Sequence, residues 1–342
     1  MLKVHMFSSA TKIKGQGVGS AYTELIQLLK KYFADSIDVQ INNFGRADIS
    51  HYHTIDFKFY LSTFLPNRGR KIGYVHFLPE TLDGSLKIPQ PFKGIFFRYL
   101  ISFYKRMDQL VVVNPSFIKD LTRYGIPRSK ITYIPNFVSK ESFYELPEKK
   151  KRKLRENVEI PNNKFVVIGT GQIQERKGVA DFIELAYRLP NIQFIWVGGF
   201  SFGKITDGYN QLKKVVNDPP ANLLFPGIVE RKKMNEFYNL ADLFLLPSFN
   251  ELFPMSVLEA FSCGLPVVLR DLTLYQAIIA GSYLSARNVD EMERGIKELV
   301  GDERKLSELH NKALEMSTKY SEDRLAQRWY SFYKEQTEMV KQ

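Results

Sequence analysis

Residues 242–269, DLFLLPSFNELFPMSVLEAFSCGLPVVL, decide how this chain folds. An apolar run, 243–246, reads as a buried strand and stops at Pro247. A second one, 267–269, follows Gly264 and Pro266. Between them the apolar positions fall nearly all round a helix, so the segment reads as strand, loop, buried helix, strand, the unit of a parallel sheet. The run also holds two acids, Glu251 and Glu259. On one unbroken helix they would stand about 80° apart around the axis. Pro254 argues against continuity, because the residue before a proline avoids helical angles while proline suits the first helical turn. Glu251 is therefore placed in a loop, and Glu259 on a helix from about Pro254 to Cys263.

The same alternation extends outward. From Lys164 the chain runs KFVVIGTG, the helical VADFIELAYRL, IQFIWVGG, ANLLFPGIV and KKMNEFYNL. The first half opens with KVHMF, a polar loop, an amphipathic stretch from Ala21 to Phe33, and IDVQI. Two doubly wound α/β sheets in series are the expected architecture, with Rossmann-like domains over 1–147 and 148–320. ELPEKKKRKLRENVEIPNN is expected to connect them as a solvated linker passing into a first helical stretch. Helical spacing of Leu325, Trp329, Phe332 and Tyr333 predicts a helix over 321–342, free to pack on either domain.

Composition narrows the class. The 342 residues are 44% hydrophobic and 13% aromatic, enough for two sizeable cores. The single cysteine, Cys263, excludes an internal disulfide framework and fits a reducing compartment. No apolar run approaches the ~20 residues needed to cross a bilayer. The expectation is a cytoplasmic protein, peripheral on the inner face of the cell membrane. Of the formal charge of +11, all lies in the first 140 residues, which hold 20 Lys and Arg against 9 Asp and Glu. An anionic surface would be drawn to that half, although a basic face that only keeps the protein soluble has the same composition.

A buried glutamate needs a partner. One reading pairs Glu259 with a buried basic group and leaves Glu251 a loop acid. The other follows from position: the segment lies at the carboxyl end of a parallel strand and at a helix N-terminus, where phosphate is favoured, and a carboxylate beyond it would accept bonds from two ribose hydroxyls. That describes a nucleotide site. At this point PSFNELFPMSVLEAFSCGLPVV resembles the E-x7-E motif of family 4 retaining glycosyltransferases, which have the two-domain GT-B fold. LVVVNPSFIKDLTRYGIPRSKITYIPNFVS (110–139) is similar to the end of their first domain, and IGTGQIQERKGVADFIELA to their phosphate-binding strand, loop and helix.

The resemblance implies that Glu259 binds the ribose and that Glu251 lies against the donor sugar and its phosphates. Leu252, Phe253 and Pro254 would line the diphosphate or sugar, and Lys177 would offset charge on the leaving diphosphate. Where the family usually has Gly-Arg, this chain has Gly171-Gln172; Arg176 is the candidate to supply the missing charge. Gly198 and Ile228 fall in the two loops flanking the nucleotide base. KIKGQGVGSAYTEL resembles the glycine-rich loop facing the donor phosphates, through Gly17 and Val18, and His76 occupies the place of a histidine near the donor sugar. The resemblance further implies a UDP-sugar donor, front-side displacement with retention, and no metal or other cofactor. His51 and His53, two apart on one strand face, lack enough companions for a metal site.

Two segments combine aromatic and basic residues. PFKGIFFRYLISFYKRM (91–107) places its rings at helical spacing, with Lys93, Phe96, Phe97 and Arg98; upstream, in what looks like a loop, stand Phe57, Lys58, Phe59, Arg68, Arg70 and Lys71. Such segments insert rings among lipid headgroups, or pack on their own sheet. Basic, membrane-surface members of the family glycosylate diacylglycerol or glycosyl-diacylglycerol, making bacterial glycolipids and lipoteichoic acid anchors. FSSATKIKGQGVGSAY and GYVHFLPETLDGS look like the second kind. The expected function is transfer of glucose or galactose from a UDP-sugar to monoglucosyl-diacylglycerol. The alternatives are a cell-wall or capsule lipid-linked acceptor, or an inactive nucleotide-sugar-binding partner subunit. No motif for nucleic acid is present.

Overall fold

Twelve strands, each three to six residues long, form two wholly parallel sheets in this computed structural model, which describes residues 1–10, 17–79, 90–201, 203 and 208–339. Residues of the glycine-rich loop at 11–16 and the whole ETLDGS stretch, 80–85, lie outside the described residues. The described residues divide into two compact units: those of 1–79, 90–137 and 322–339 form one, and those of 138–321 the other. The crossing into the second unit thus lies at Phe137 and Val138 instead of at 147, and the C-terminal residues group with the first unit.

In the first unit the strands are β1 (Leu2–Phe7), β2 (Ile37–Ile41), β3 (Ile49–Tyr52), β4 (Arg70–Val75), β5 (Gln109–Val112) and β6 (Ile131–Tyr133), in the order β2-β1-β3-β4-β5-β6. The order reverses between β1 and β3. The helix Gly17–Tyr32 begins four residues earlier than the amphipathic stretch predicted, and the helix Glu322–Glu338 buries Leu325, Trp329, Phe332 and Tyr333, the residues its periodicity selects.

In the second unit β7 (Val166–Thr170), β8 (Gln193–Val197), β9 (Leu223–Gly227), β10 (Leu243–Leu246), β11 (Val267–Arg270) and β12 (Leu284–Ala286) run in the order β12-β11-β10-β7-β8-β9. The opening segment folds as read: β10, a loop, the helix Met255–Ser262, then β11, which pairs with β10 from Phe244↔Val267 to Leu246↔Leu269. One core centres on Trp196 of β8, fully buried, with Phe182 edge-on to it at 5.0 Å. Burying a side chain of that kind is worth roughly 1.5–3 kcal/mol.

Two expectations are corrected. The basic run at 148–157 is not a solvated linker between domains: it is the helix Glu148–Asn157 within the second unit, held by buried Arg155, which donates to the Leu240 carbonyl and to Asp242, both at 2.8 Å. The upstream aromatic and basic stretch is not one exposed loop: it forms the helix Phe57–Ser62, the short turn Pro66–Arg68, and the start of β4. Of its membrane candidates only Phe57 and Lys58 are exposed. Phe59 is buried against Phe7, ring centroids 5.4 Å apart. Arg68, 1% exposed, donates to the carbonyls of Phe44 and Gly45; Arg70 bonds Gln336 at 3.0 Å, and Lys71 pairs with Asp108 at 3.2 Å. Period-two and helical patterns do not reveal which charged side chains fold back on backbone carbonyls, so composition alone overcounted the surface.

Candidate functional site

The strand order of the second unit reverses between β7 and β10, and the loops leaving the carboxyl ends of these two strands carry Lys177 and Glu251. Ligands of open α/β sheets bind at such a reversal. The loops are stitched together. Phe249 N–H donates to the Arg176 carbonyl at 2.8 Å, and Gly178, at φ +68°, passes so near Pro247 that a Cβ would lie 2.2 Å from its carbonyl oxygen. Gly198, at φ +147°, brings the loop after β8 onto Gly171, where a Cβ would lie 1.8 Å from the oxygen. Both positions need glycine on conformational and steric grounds.

Within this frame Glu251, 6% exposed, receives a hydrogen bond from Lys177 Nζ, and Arg176 Nη1 stands 3.9 Å from the same oxygen while donating to the Asn250 carbonyl. Burial alone would raise the Glu251 pKa, but Lys177 and Arg176 outweigh it and hold the carboxyl below its usual range. Burial lowers the Lys177 ammonium, against the pull of Glu251. The three form one charged cluster. Gln172 accepts from Gln174 Nε2 at 3.1 Å, and Arg176 does lie in this cluster, beside Lys177. Gln174 Oε1, Arg176 Nε and Tyr275 Oη are buried with no hydrogen-bond partner among the described residues. That is bonding capacity which a ligand rich in hydroxyls and phosphate oxygens would use.

Glu259, on the second turn of the helix Met255–Ser262, is 5% exposed and bonded through both oxygens: Arg231 Nη1 at 2.7 Å and the Tyr238 hydroxyl at 2.8 Å. Burial and the neighbouring carboxylate push the Tyr238 hydroxyl well above its ordinary pKa. Both partners escaped sequence reasoning. They lie seven residues apart on the helix Arg231–Leu240, hence on one face, but nothing in VERKK separates Arg231 from Lys232 and Lys233. Leu252 is half-buried, Phe253 is buried edge-on to Tyr320 at 5.0 Å, and Pro254 is the residue immediately before the helix. Ile228 is 45% exposed just past β9.

In the first unit, Gly17 and Val18 open the helix Gly17–Tyr32, and His76 follows β4 at its carboxyl end, half-buried. His51 and His53 share a face, as their spacing requires, with ring centroids 4.3 Å apart. Among the described residues no group of three His, Cys, Asp or Glu could hold a metal ion. Phe96 and Phe97 are half-buried, Lys93 is part-exposed and Arg98 is exposed, all on the helix Gln90–Lys105.

Two Rossmann-like units, one with acids and bases gathered at its strand-order reversal, define the architecture of GT-B enzymes. Solved structures agree: the Anabaena protein HepE in complex with UDP-glucose matches with a TM-score of 0.81 at 16% identity, over 98% of this chain and all of that one, which bears on the fold alone. Residues 150–316 match the model "Glycosyl transferases group 1" and residues 17–142 "Glycosyltransferase Family 4". The alpha-galactosylglucosyldiacylglycerol synthase of Streptococcus pneumoniae is 54% identical over 336 residues, 98% of this chain and 90% of that protein. The processive diacylglycerol alpha-glucosyltransferase of Acholeplasma laidlawii is 31% identical over 181 residues, 53% of each. The chain belongs to glycosyltransferase family 4 and is an enzyme of glycosyl transfer.

Proposed function

We propose that this enzyme transfers galactose from UDP-galactose to the glucose of monoglucosyl-diacylglycerol, with retention of configuration. The observation that carries the proposal is the 54% identity, over nearly the whole of both chains, to a relative whose name states a galactosyl-glucosyl-diacylglycerol product. The chemistry of the site supports it. Glu259 offers a carboxylate already oriented by Tyr238 and Arg231 to the ribose hydroxyls, and Lys177 with Arg176 offers two positive charges to the diphosphate. As the glycosidic bond to the diphosphate breaks, that charge stabilises the leaving group, whose oxygen takes the proton of the attacking hydroxyl on the same face. Glu251, released from Lys177 by the phosphate, turns to the sugar hydroxyls. Two fixed cations do what a metal does in other transferases, so the reaction is expected to proceed in EDTA.

The acceptor lies in a membrane, and the first unit has a face suited to one. The helices Phe57–Ser62 and Gln90–Lys105 are joined by Tyr60 and Ser102, 2.9 Å apart, and by the Tyr60 and Tyr99 rings. They leave Phe57, Leu61, Phe92 and Ile95 exposed, each by half or more, beside Lys58 and Arg98. Exposed rings and leucines among cations fit an anionic interface, which adds about 1 kcal/mol per basic residue near it. Among the described residues no helix is long and apolar enough to cross the bilayer.

The test is a competition. Purified protein, EDTA and vesicles of monoglucosyl-diacylglycerol with anionic lipid receive equal UDP-glucose and isotopically heavy UDP-galactose, and the diglycosyl lipid is weighed by mass spectrometry. Heavy product supports the proposal. Light product moves the donor to UDP-glucose; UDP release without lipid product moves the acceptor to another lipid-linked sugar, and neither reaction, with UDP still bound, makes the chain an inactive binder.

A further inference from the structure

In the first unit a chain of buried rings, His51, His53 and Tyr74, leads to the half-buried His76. His51 and His53 are 0% and 2% exposed. His51 Nδ1 lies 2.8 Å from the Tyr333 hydroxyl, and His53 Nδ1 lies 3.3 Å from His76 Nε2. Tyr74 stacks on both His53, at 5.0 Å and 15°, and His76, at 4.3 Å and 25°, while Tyr22 meets the His53 ring edge-on at 4.9 Å. The contact between two imidazoles needs one to donate and the other to accept. Which does which follows from the far nitrogens. His51 Nε2 and His53 Nε2 are both buried without a partner among the described residues. A bare buried lone pair is tolerated better than a bare buried N–H, so both rings keep their proton on Nδ1. His53 Nδ1–H then donates to His76 Nε2, and a neutral His76 must carry its proton on Nδ1, the nitrogen with no partner among the described residues, on a ring half-buried at the carboxyl end of β4.

We propose that His53 is a positioning residue that locks His76 in the Nδ1–H tautomer, so that His76 acts on a ligand as a neutral hydrogen-bond donor and not as a base. This rests on the reading of His76 as a site residue. Burial favours neutral rings throughout: it lowers His51 and His76 to about 3, and His53 in the same direction. Without His53, His76 would revert to the Nε2–H form that neutral histidine ordinarily prefers, and a ligand oxygen would meet an acceptor in place of a donor.

The tautomer is read directly from long-range proton–nitrogen NMR spectra of protein labelled with nitrogen-15 at its five histidines, His76 being assigned by its loss in His76→Gln. The expected spectrum shows His76 protonated at Nδ1, shifting toward Nε2–H in His53→Phe. His53→Asn, whose amide donates from near the same position, keeps the Nδ1–H signal. In transfer assays His53→Phe should lower kcat about tenfold, the scale of a lost outer-shell partner, with KM for donor within about twofold, and His53→Asn should restore most of it. An Nε2–H signal for His76 in the unaltered protein overturns the proposal, whether or not the variants fold. Full activity of His76→Ala overturns instead the reading of His76 as a site residue, and leaves the spectrum to judge the lock.

Discussion

If Lys177 neutralises Glu251 until phosphate replaces it, then removing either partner has opposite effects on nucleotide binding. Side chains of the pair are only 13% and 8% exposed, so each charge depends on the other. Breaking a buried pair by deleting one member costs about 3–5 kcal/mol. Lys177→Met leaves Glu251 with Arg176 at 3.9 Å, an attraction of about 4 kcal/mol at an effective dielectric of 20, so the loss belongs at the low end, about 3 kcal/mol. For a unit of this size that lowers Tm by roughly 6–12 °C. Glu251→Gln leaves Lys177 beside Arg176 with no counter-charge and should cost more, about 4 kcal/mol. The double variant removes both charges and should cost less than the sum by about 2 kcal/mol. Urea unfolding followed by Trp196, in a Trp329→Tyr background so that only the second unit reports, measures the cycle. Binding gives the sharper sign. Glu251 competes with diphosphate for the ammonium, so Glu251→Gln should bind UDP several-fold tighter yet transfer no sugar, whereas Lys177→Met should bind it at least tenfold more weakly, about 1.4 kcal/mol. Additive stabilities, or weaker UDP binding by Glu251→Gln, would show that Glu251 and Lys177 do not act as a competing pair.

Other expectations follow from the same geometry. His51 has a folded pKa of about 3 against an ordinary 6.5, so the unfolded chain binds the extra proton between these values. The stability it contributes is complete above pH 6.5 and is lost as pH falls toward 3, about 2 kcal/mol by pH 5, in urea titrations that follow Trp329. His53 and His76 act in the same direction. Phe57→Ser with Phe92→Ser should reduce sedimentation with anionic vesicles at least tenfold and leave Tm within about 2 °C, whereas Phe59→Ser should unfold the first unit, because only the last is core. Tyr238→Phe removes one of the bonds orienting Glu259 and should weaken UDP binding by about 1 kcal/mol, read by calorimetry.

Much of the fold was legible because its cues are local. Strand and helix periods, Pro254 and Gly264 marked the elements around Glu251 and Glu259, and the strand order supplied the reversal that joins β7 to β10. The two acids were legible as anomalies in an apolar run. Their partners were less so: Lys177 came from resemblance, and Arg231 and Tyr238 are set by how two helices pack, which no local pattern records. The surface was hardest. Phe57 and Phe59 differ by two positions and have the same chemistry, yet one is 65% exposed and the other fully buried. On a helix those positions point to different sides, and only the unit as a whole decides which side faces solvent.

The anomeric configuration of the new bond separates retention from inversion. Lipid product made from UDP-galactose and monoglucosyl-diacylglycerol vesicles in EDTA would be examined by NMR, beside a Glu259→Gln control. Retention gives an α-linked second hexose, as in the donor, and no product is expected from the control. A β-linked hexose would mean inversion, and undiminished product from Glu259→Gln would remove Glu259 from the donor site.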